Sequence, residues 1–428
     1  MNRSAIGFAG LTHLGIVSAV AAAARGFPVV AFDIDPARVA ALAAGELAIV
    51  EPGLPQLLLR HRERVLFTAV PADLRACAVV YVATDVPVDE TGVSDLRPVR
   101  DLVERVASSL AAEAALVILS QVPPGFTRGL GRPPAHTFYQ VETLVFGRAV
   151  ERALEPERFI VGCGDPAAAL PGALTEYLEA FGCPILRMRY ESAELAKISI
   201  NMCLVASITA ANTLAELCEH IGADWSEIVP ALRLDRRIGP HAYLTPGLGL
   251  GGGNLERDLE TVCRFADANG TDAGVVRAWI ANSAHRRDWA LTQIHERVVA
   301  RVAEPTLAVL GLAYKENTAS TKNSPALALL TALAPFVVHA YDPVVTPEPE
   351  SHPRLVAARS ALEACVGADA VVLMTPWPEF RDLRPDAVAA RLRGRAVVDP
   401  HGILEGPAFR AAGLDYVTLG YPLPRAAA

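Results

Sequence analysis

Ser4-Ala-Ile-Gly-Phe-Ala-Gly-Leu-Thr-His-Leu-Gly15 and, after an alanine-rich run, Pro28-Val-Val-Ala-Phe-Asp33 decide the fold of this chain. Ser4 to Ala9 reads as a short buried strand, Gly10 to Gly15 as a tight turn, and the following text as a helix to about Arg25. Pro28 to Phe32 is a second strand that ends on an acid, Asp33. Strand, turn, helix, strand, acid is the layout of a dinucleotide-binding βαβ unit. An acid at that point accepts bonds from the ribose hydroxyls of NAD and repels the extra phosphate of NADP. The turn departs from G-x-G-x-x-G, because Thr12 occupies the second glycine's place and carries a Cβ toward the pyrophosphate's approach. An ordinary α/β turn followed by a solvated strand end reads the same way, so the stretch speaks first for fold class.

The rest of the chain extends that class. Val79 to Thr84 and Val117 to Ser120 are continuous apolar runs of the kind buried in parallel sheets. Around Glu304-Pro305 a new unit begins, with strand-like runs at Thr306–Leu312, Phe336–Tyr341, Ala370–Thr375, Ala396–Val398 and Asp415–Leu419 alternating with helical text. The expected architecture is α/β: two doubly wound Rossmann-like domains joined by a long central helix and a helical dimerisation region. The boundaries expected are 1–188 for the N-terminal dinucleotide-binding domain, 189–302 for the central helical domain, and 303–428 for the C-terminal domain.

Composition narrows the function classes. A 428-residue chain with 52% hydrophobic and 6% aromatic residues has ample core for two or three domains. A formal net charge of −8 without a dense basic run argues against nucleic acid as a partner. The apolar segment from Leu14 to Ala24 is too short to span a membrane and leads into Arg25, and it follows a strand rather than a cationic leader. Seven cysteines without C-x-x-C spacing indicate neither zinc nor a disulfide framework. No membrane association and a cytoplasmic location are expected.

Two central stretches carry chemistry. Glu191 to His220 reads as one helix without internal Pro or Gly, capped near Gly222. Lys197 and Asn201 stand four apart on it and share a face, among Ile198, Ile200, Met202, Leu204 and Val205. A surface lysine and a helix-interior asparagine are the bland alternative, but the apolar surroundings are not those of a solvated face. Downstream, Thr245-Pro-Gly-Leu-Gly-Leu-Gly-Gly-Gly-Asn-Leu-Glu-Arg-Asp258 holds five glycines between Gly247 and Gly253, a backbone suited to close ligand approach.

The block Asp235 to Asp258 resembles the substrate loop of the UDP-glucose 6-dehydrogenase and GDP-mannose 6-dehydrogenase family, which reads R-I-G, Y-L, then P-G-x-G-F-G-G-x-C-x-P-K-D. Asn254 stands in the place of that family's catalytic cysteine. Other segments are similar in the same order: Asp35-Pro-Ala-Arg-Val39, Glu51-Pro-Gly-Leu54, Gln121-Val-Pro-Pro-Gly125 for S-T-V-P, and Tyr139 to Gly147 for N-P-E-F-L-R-E-G. Pro156 to Gly162, Gly311-Leu-Ala-Tyr-Lys315, Asn323-Ser-Pro325, Tyr341-Asp-Pro343 and Trp377-Pro-Glu-Phe380 continue it. Gln121 replaces a threonine, Phe146 the second glutamate of its segment, and His401 the arginine of V-x-D-x-R-N.

The resemblance implies an NAD-dependent oxidoreductase acting on a nucleotide-activated sugar as a homodimer. It places Gly10, Thr12, Gly15, Asp33, Arg38, Thr84 and Gln121 at the cofactor, and Arg237, Tyr243, Gly251, Gly252, Lys315 and His401 at the substrate. Lys197, Asn201, Asp258, Asn254 and Glu142 fall at the catalytic positions. In the family an alcohol is oxidised twice, and the second oxidation passes through a thioester on the cysteine. A carboxamide has a delocalised nitrogen lone pair and cannot form that bond. Cys263, nine helical residues on, is about 13 Å away along the axis and does not substitute. The expectation is therefore a two-electron oxidation to aldehyde or ketone, or oxidation and re-reduction in an epimerisation. A slow oxidation through the hydrated aldehyde, and a non-catalytic nucleotide-sugar binder, are the alternatives.

Overall fold

A computed structural model describes residues 3–89 and 93–423. The chain forms two compact units, Met1–Ile200 and Asn201–Ala428, and each contains one sheet. In the first unit, strands β1 (Ile6–Ala9), β2 (Val29–Phe32), β3 (Val65–Thr68), β4 (Val79–Val82), β5 (Ala115–Ile118), β6 (Thr137–Gln140), β7 (Phe159–Cys163) and β8 (Ile185–Arg189) lie in the order β3-β2-β1-β4-β5-β6-β7-β8. All neighbours are parallel except β6 and β7. Strand order reverses between β1 and β4, the switch point where doubly wound sheets bind ligands. β1, β2, β4 and β5 are buried on every residue. This is why they read as unbroken apolar runs rather than alternating ones.

In the second unit, β9 (Thr306–Leu310), β10 (Val337–Tyr341), β11 (Leu355–Ala357), β12 (Ala370–Leu373), β13 (Ala396–Val398) and β14 (Asp415–Val417) form an all-parallel sheet ordered β11-β10-β9-β12-β13-β14. Five of these strands were expected and β11 was not. Its three residues sit on the sheet edge with two of them exposed, so they lack the apolar run that betrays a buried strand. Both sheets thus share one winding, with the second switch point between β9 and β12.

The helix Tyr190–Ile221 runs from the first unit into the second. By length and composition it is apolar enough to cross a membrane, yet only 33% of its most apolar window is buried. Its buried polar residues have protein partners: Glu194 accepts from the Gly125 and Thr127 amides, Asn201 donates to Asp258, and Asn212 accepts from the Gly247 amide. Such pairing is that of a helix packed within protein, where an unpaired polar group is costly.

Candidate active site

The first switch point is built from the opening stretch. Gly10 follows β1 with φ +89°, and a Cβ on it would lie 2.9 Å from Thr84 Cβ. Gly15 lies in the first turn of the helix His13–Ala24, where a Cβ would come within 1.7 Å of the Gly10 carbonyl oxygen. No side chain fits either place, so the turn and helix pack as a dinucleotide requires. Asp33 is buried at the end of β2; its Oδ2 accepts from the Leu11 amide at 2.6 Å and from Arg38 Nη1 at 2.9 Å, and its Oδ1 from the Asp35 amide. Thr12 caps the helix without a capping bond, and its hydroxyl accepts from the Asp85 amide at 3.0 Å instead. The hydroxyl is therefore engaged with the loop after β4. The residues of this turn fit NAD.

Phe146 and two residues that sequence reasoning did not single out fill the ground beside the turn. The Phe146 ring stacks on His13 with centroids 4.2 Å apart. His13 Nε2 lies 2.9 Å from Glu51, whose carboxylate also accepts from the Gly147 and Ala149 amides. An aromatic at position 146 thus has a partner in the first helical turn. Glu194, also unforeseen, is fully buried, and burial raises its pKa; it fixes the segment after Gln121 through the Gly125 and Thr127 amides. Gln121 is partly buried just beyond β5.

Glu142 and Lys197 meet in this unit, carboxylate to ammonium at 3.3 Å, with side chains 15% and 12% exposed. In the second unit Asn201 Nδ2 donates to Asp258 Oδ2 at 2.6 Å. Arg257, buried beside it, reaches the other carboxylate oxygen at 3.2 Å, while its Nη2 meets no hydrogen-bond partner among the described residues.

The glycine-rich loop is held by side chains from three directions. The Gly247 amide donates to Asn212, the Leu250 amide to Ser283 Oγ, and the Gly252 carbonyl accepts from Asn323. Gly249 and Gly252 have φ +72° and +80°, and a Cβ would press on the Ser283 carbonyl at 2.3 Å or the Tyr314 ring at 2.9 Å. The loop ends at Asn254, the first residue of the helix Asn254–Asn269. Glu256 in its first turn pairs with Arg287 at 2.9 Å and with Asn323, and burial raises its pKa. Cys263 lies further along the same unbroken helix, buried, with its thiol pushed up by that burial. Asn212 and Ser283 carry no sequence motif; only these contacts mark them as loop anchors.

Beyond β9 the second switch point repeats the first in other residues. Gly311 has φ +92°, and a Cβ there would meet Thr375 at 2.5 Å. Asp342 accepts from the Leu312 and Ala313 amides, from Trp377 Nε1, and from the Val344 and Val345 amides. Lys315 follows Tyr314, with its ammonium 5.7 Å from that ring's centroid. Arg237 is exposed and bound to Asp235 in its own turn, and Tyr243 is about half exposed. His401 follows β13 and lines a cavity of about 560 Å³ with Trp225, Leu244, Arg410, Tyr416 and Tyr421.

Residues 4–179, 191–284 and 308–406 match, in order, the NAD binding, central and UDP binding domains of the UDP-glucose/GDP-mannose dehydrogenase family. The chain is 32% identical over 448 residues to a UDP-glucose 6-dehydrogenase of Pseudomonas aeruginosa, covering 97% of each sequence. It is 29% identical to the UDP-glucose 6-dehydrogenase TuaD of Bacillus subtilis, covering 97% of this chain and 93% of that one. A UDP-glucose dehydrogenase structure from Pyrobaculum islandicum superposes with a TM-score of 0.84 at 26% identity, over 98% of both chains. With a turn that fits NAD and colinear matches to all three family domains, the chain belongs to the UDP-glucose/GDP-mannose dehydrogenase family and is an NAD-dependent oxidoreductase.

Proposed function

We propose that the protein oxidises a nucleotide-activated sugar by two electrons, stopping at the aldehyde or ketone or re-reducing it to an epimer. NAD, when bound, accepts the hydride. Lys197 places an ammonium where the substrate's alkoxide forms, and Glu142 holds that ammonium in position. Asn201 orients the hydroxyl, and Asp258 moves a proton through water, with its charge offset by Arg257. The observation that carries the reading is the split between two sets of residues. The Lys197–Glu142 and Asn201–Asp258 pairs are formed, whereas Asn254 offers no nucleophile at the start of its helix. Gln121 and Phe146 depart from the family on the same side of the chemistry.

Arg237, Tyr243, Gly251, Gly252 and Lys315 are proposed to hold the nucleotide sugar. The exposed Leu195, Leu214, Leu217 and Ile221 of the long helix are proposed to be covered by a second copy. Light scattering at micromolar concentration should then report a dimer; a monomer overturns that part.

Incubation with NAD and a panel of nucleotide sugars, read by mass spectrometry, tests the reaction. A loss of about two mass units marks aldehyde or ketone, and a gain of about fourteen marks acid, by the stoichiometry of alcohol oxidation. Acid from the wild type overturns the two-electron reading. A protein that binds nucleotide sugar but not NAD is a binder rather than an enzyme. In Asn254→Cys incubated with NAD and the substrate, an acyl adduct detected on the intact protein is expected: cysteine is smaller than asparagine, the thiolate captures the aldehyde as a thiohemiacetal, and loss of hydride from that adduct to NAD leaves a thioester.

A further inference from the structure

The chain leaving β4 returns to the N-terminus of the first helix and brings an acid with it. Gly10 packs against Thr84, and the next residue, Asp85, donates its amide to the Thr12 hydroxyl at 3.0 Å. Asp85 stands at the open edge of the crevice, but its carboxylate turns inward. It accepts from the Thr12 hydroxyl and from the backbone amide of His13, the first residue of the helix. Thr12, the residue in the second glycine's place, thus ties the acid to the turn from both its amide and its carboxylate.

The amides at this helix N-terminus are the donors that hold the pyrophosphate of a dinucleotide. A carboxylate in the same corner takes one of those donors and presents a like charge to the incoming phosphates. An acid solvated on a loop would do neither. We propose that Asp85 is an internal anion at the pyrophosphate seat, competing with NAD for the His13 amide and thereby setting how tightly the chain holds its cofactor.

The charge of Asp85 is open to titration. Burial raises its pKa above the usual carboxylate range, and Glu142 pushes the same way, while the Thr12 hydroxyl and the His13 ring and amide oppose them. The two titratable neighbours are themselves paired, His13 with Glu51 and Glu142 with Lys197. Protonation removes the like charge, so NAD is held more tightly as the pH falls through the pKa of Asp85.

Titration calorimetry of the full-length protein with NAD and with ADP-ribose, which has the same pyrophosphate but no nicotinamide, tests the proposal. Asp85→Asn should bind both about tenfold or more tightly than wild type at neutral pH, the scale of one like charge removed at close range. Asp85→Ser should share the gain, and it stands in if the asparagine variant does not fold. The ratio of variant to wild-type affinity should shrink between about pH 7 and about pH 5, because only the wild type loses a charge at position 85. Taking the ratio cancels carboxylates common to both proteins, such as Asp33. Unchanged or weaker NAD binding in a folded variant overturns the proposal, as does a ratio that ignores pH. A gain for NAD without one for ADP-ribose places the effect at the nicotinamide and overturns it too.

Discussion

The first six strands of each sheet wind in the same order and place a glycine, a threonine and an acid at equivalent points, yet the two treat the acid differently. Gly10 abuts Thr84, and Gly311 abuts Thr375. Asp33 receives the Leu11 amide, and Asp342 the Leu312 amide. At the first switch point one of the acid's partners is Arg38, whose side chain is 42% exposed and can yield to a ligand. At the second, the acid is sealed by backbone amides and by the buried Trp377 indole. The first turn also runs straight into a helix at His13, whereas the second meanders past Lys315 and Lys322 before its helix at Pro325. One fold therefore holds the acid beside an exposed cation that can move in one copy and uses it as a turn-former in the other. Side chains at the switch point, not the winding, decide which.

Breaking the sealed acid should have the largest effect. Asp342→Ala leaves several buried donors unpaired at about 1–3 kcal/mol each, so a loss of 3 kcal/mol or more is expected in chemical denaturation followed at the tryptophans. Gly15→Ala comes next. Its Cβ would sit 1.7 Å from a backbone oxygen, and relief of that overlap should cost about 1–3 kcal/mol and weaken NAD binding in proportion, measured by calorimetry. Asp33→Ala should lower NAD affinity by roughly tenfold, the worth of a charged hydrogen bond to ribose, and raise NADP affinity as Arg38 is released to a 2′-phosphate. If Asp33→Ala instead unfolds the protein while Asp342→Ala does not, the comparison is inverted. The smallest effect belongs to Thr12→Gly. NAD binding should improve by a few fold as the Cβ leaves the turn, while the melting temperature falls slightly because the Asp85 amide loses its acceptor.

Much of this is legible in the sequence. Glycines and an acid after apolar runs announced the first switch point, and Tyr341-Asp-Pro343 marked the second acid without revealing its task. That task depends on Trp377, 35 positions away, and side-chain pairs at such separations leave no periodic trace. The same holds for the Phe146 stack on His13, which turns an apparent defect into a packed contact. Lys197 and Asn201 were readable because helical spacing fixes their shared face. Their partners Glu142 and Asp258 were named through the resemblance, and the buried Arg257 beside Asp258 was not. β11 escaped because an exposed edge strand has no reason to be apolar.

The anchoring of the glycine-rich loop has a thermodynamic consequence of its own. Glycine loses more conformational freedom on ordering than any other residue, and fixing a backbone costs on the order of 1–2 kcal/mol per position. With Asn212 and Ser283 gripping the amides of Gly247 and Leu250, that entropy is surrendered when the protein folds. A ligand arriving at the loop meets a surface already ordered, and its binding energy is free to go into discrimination.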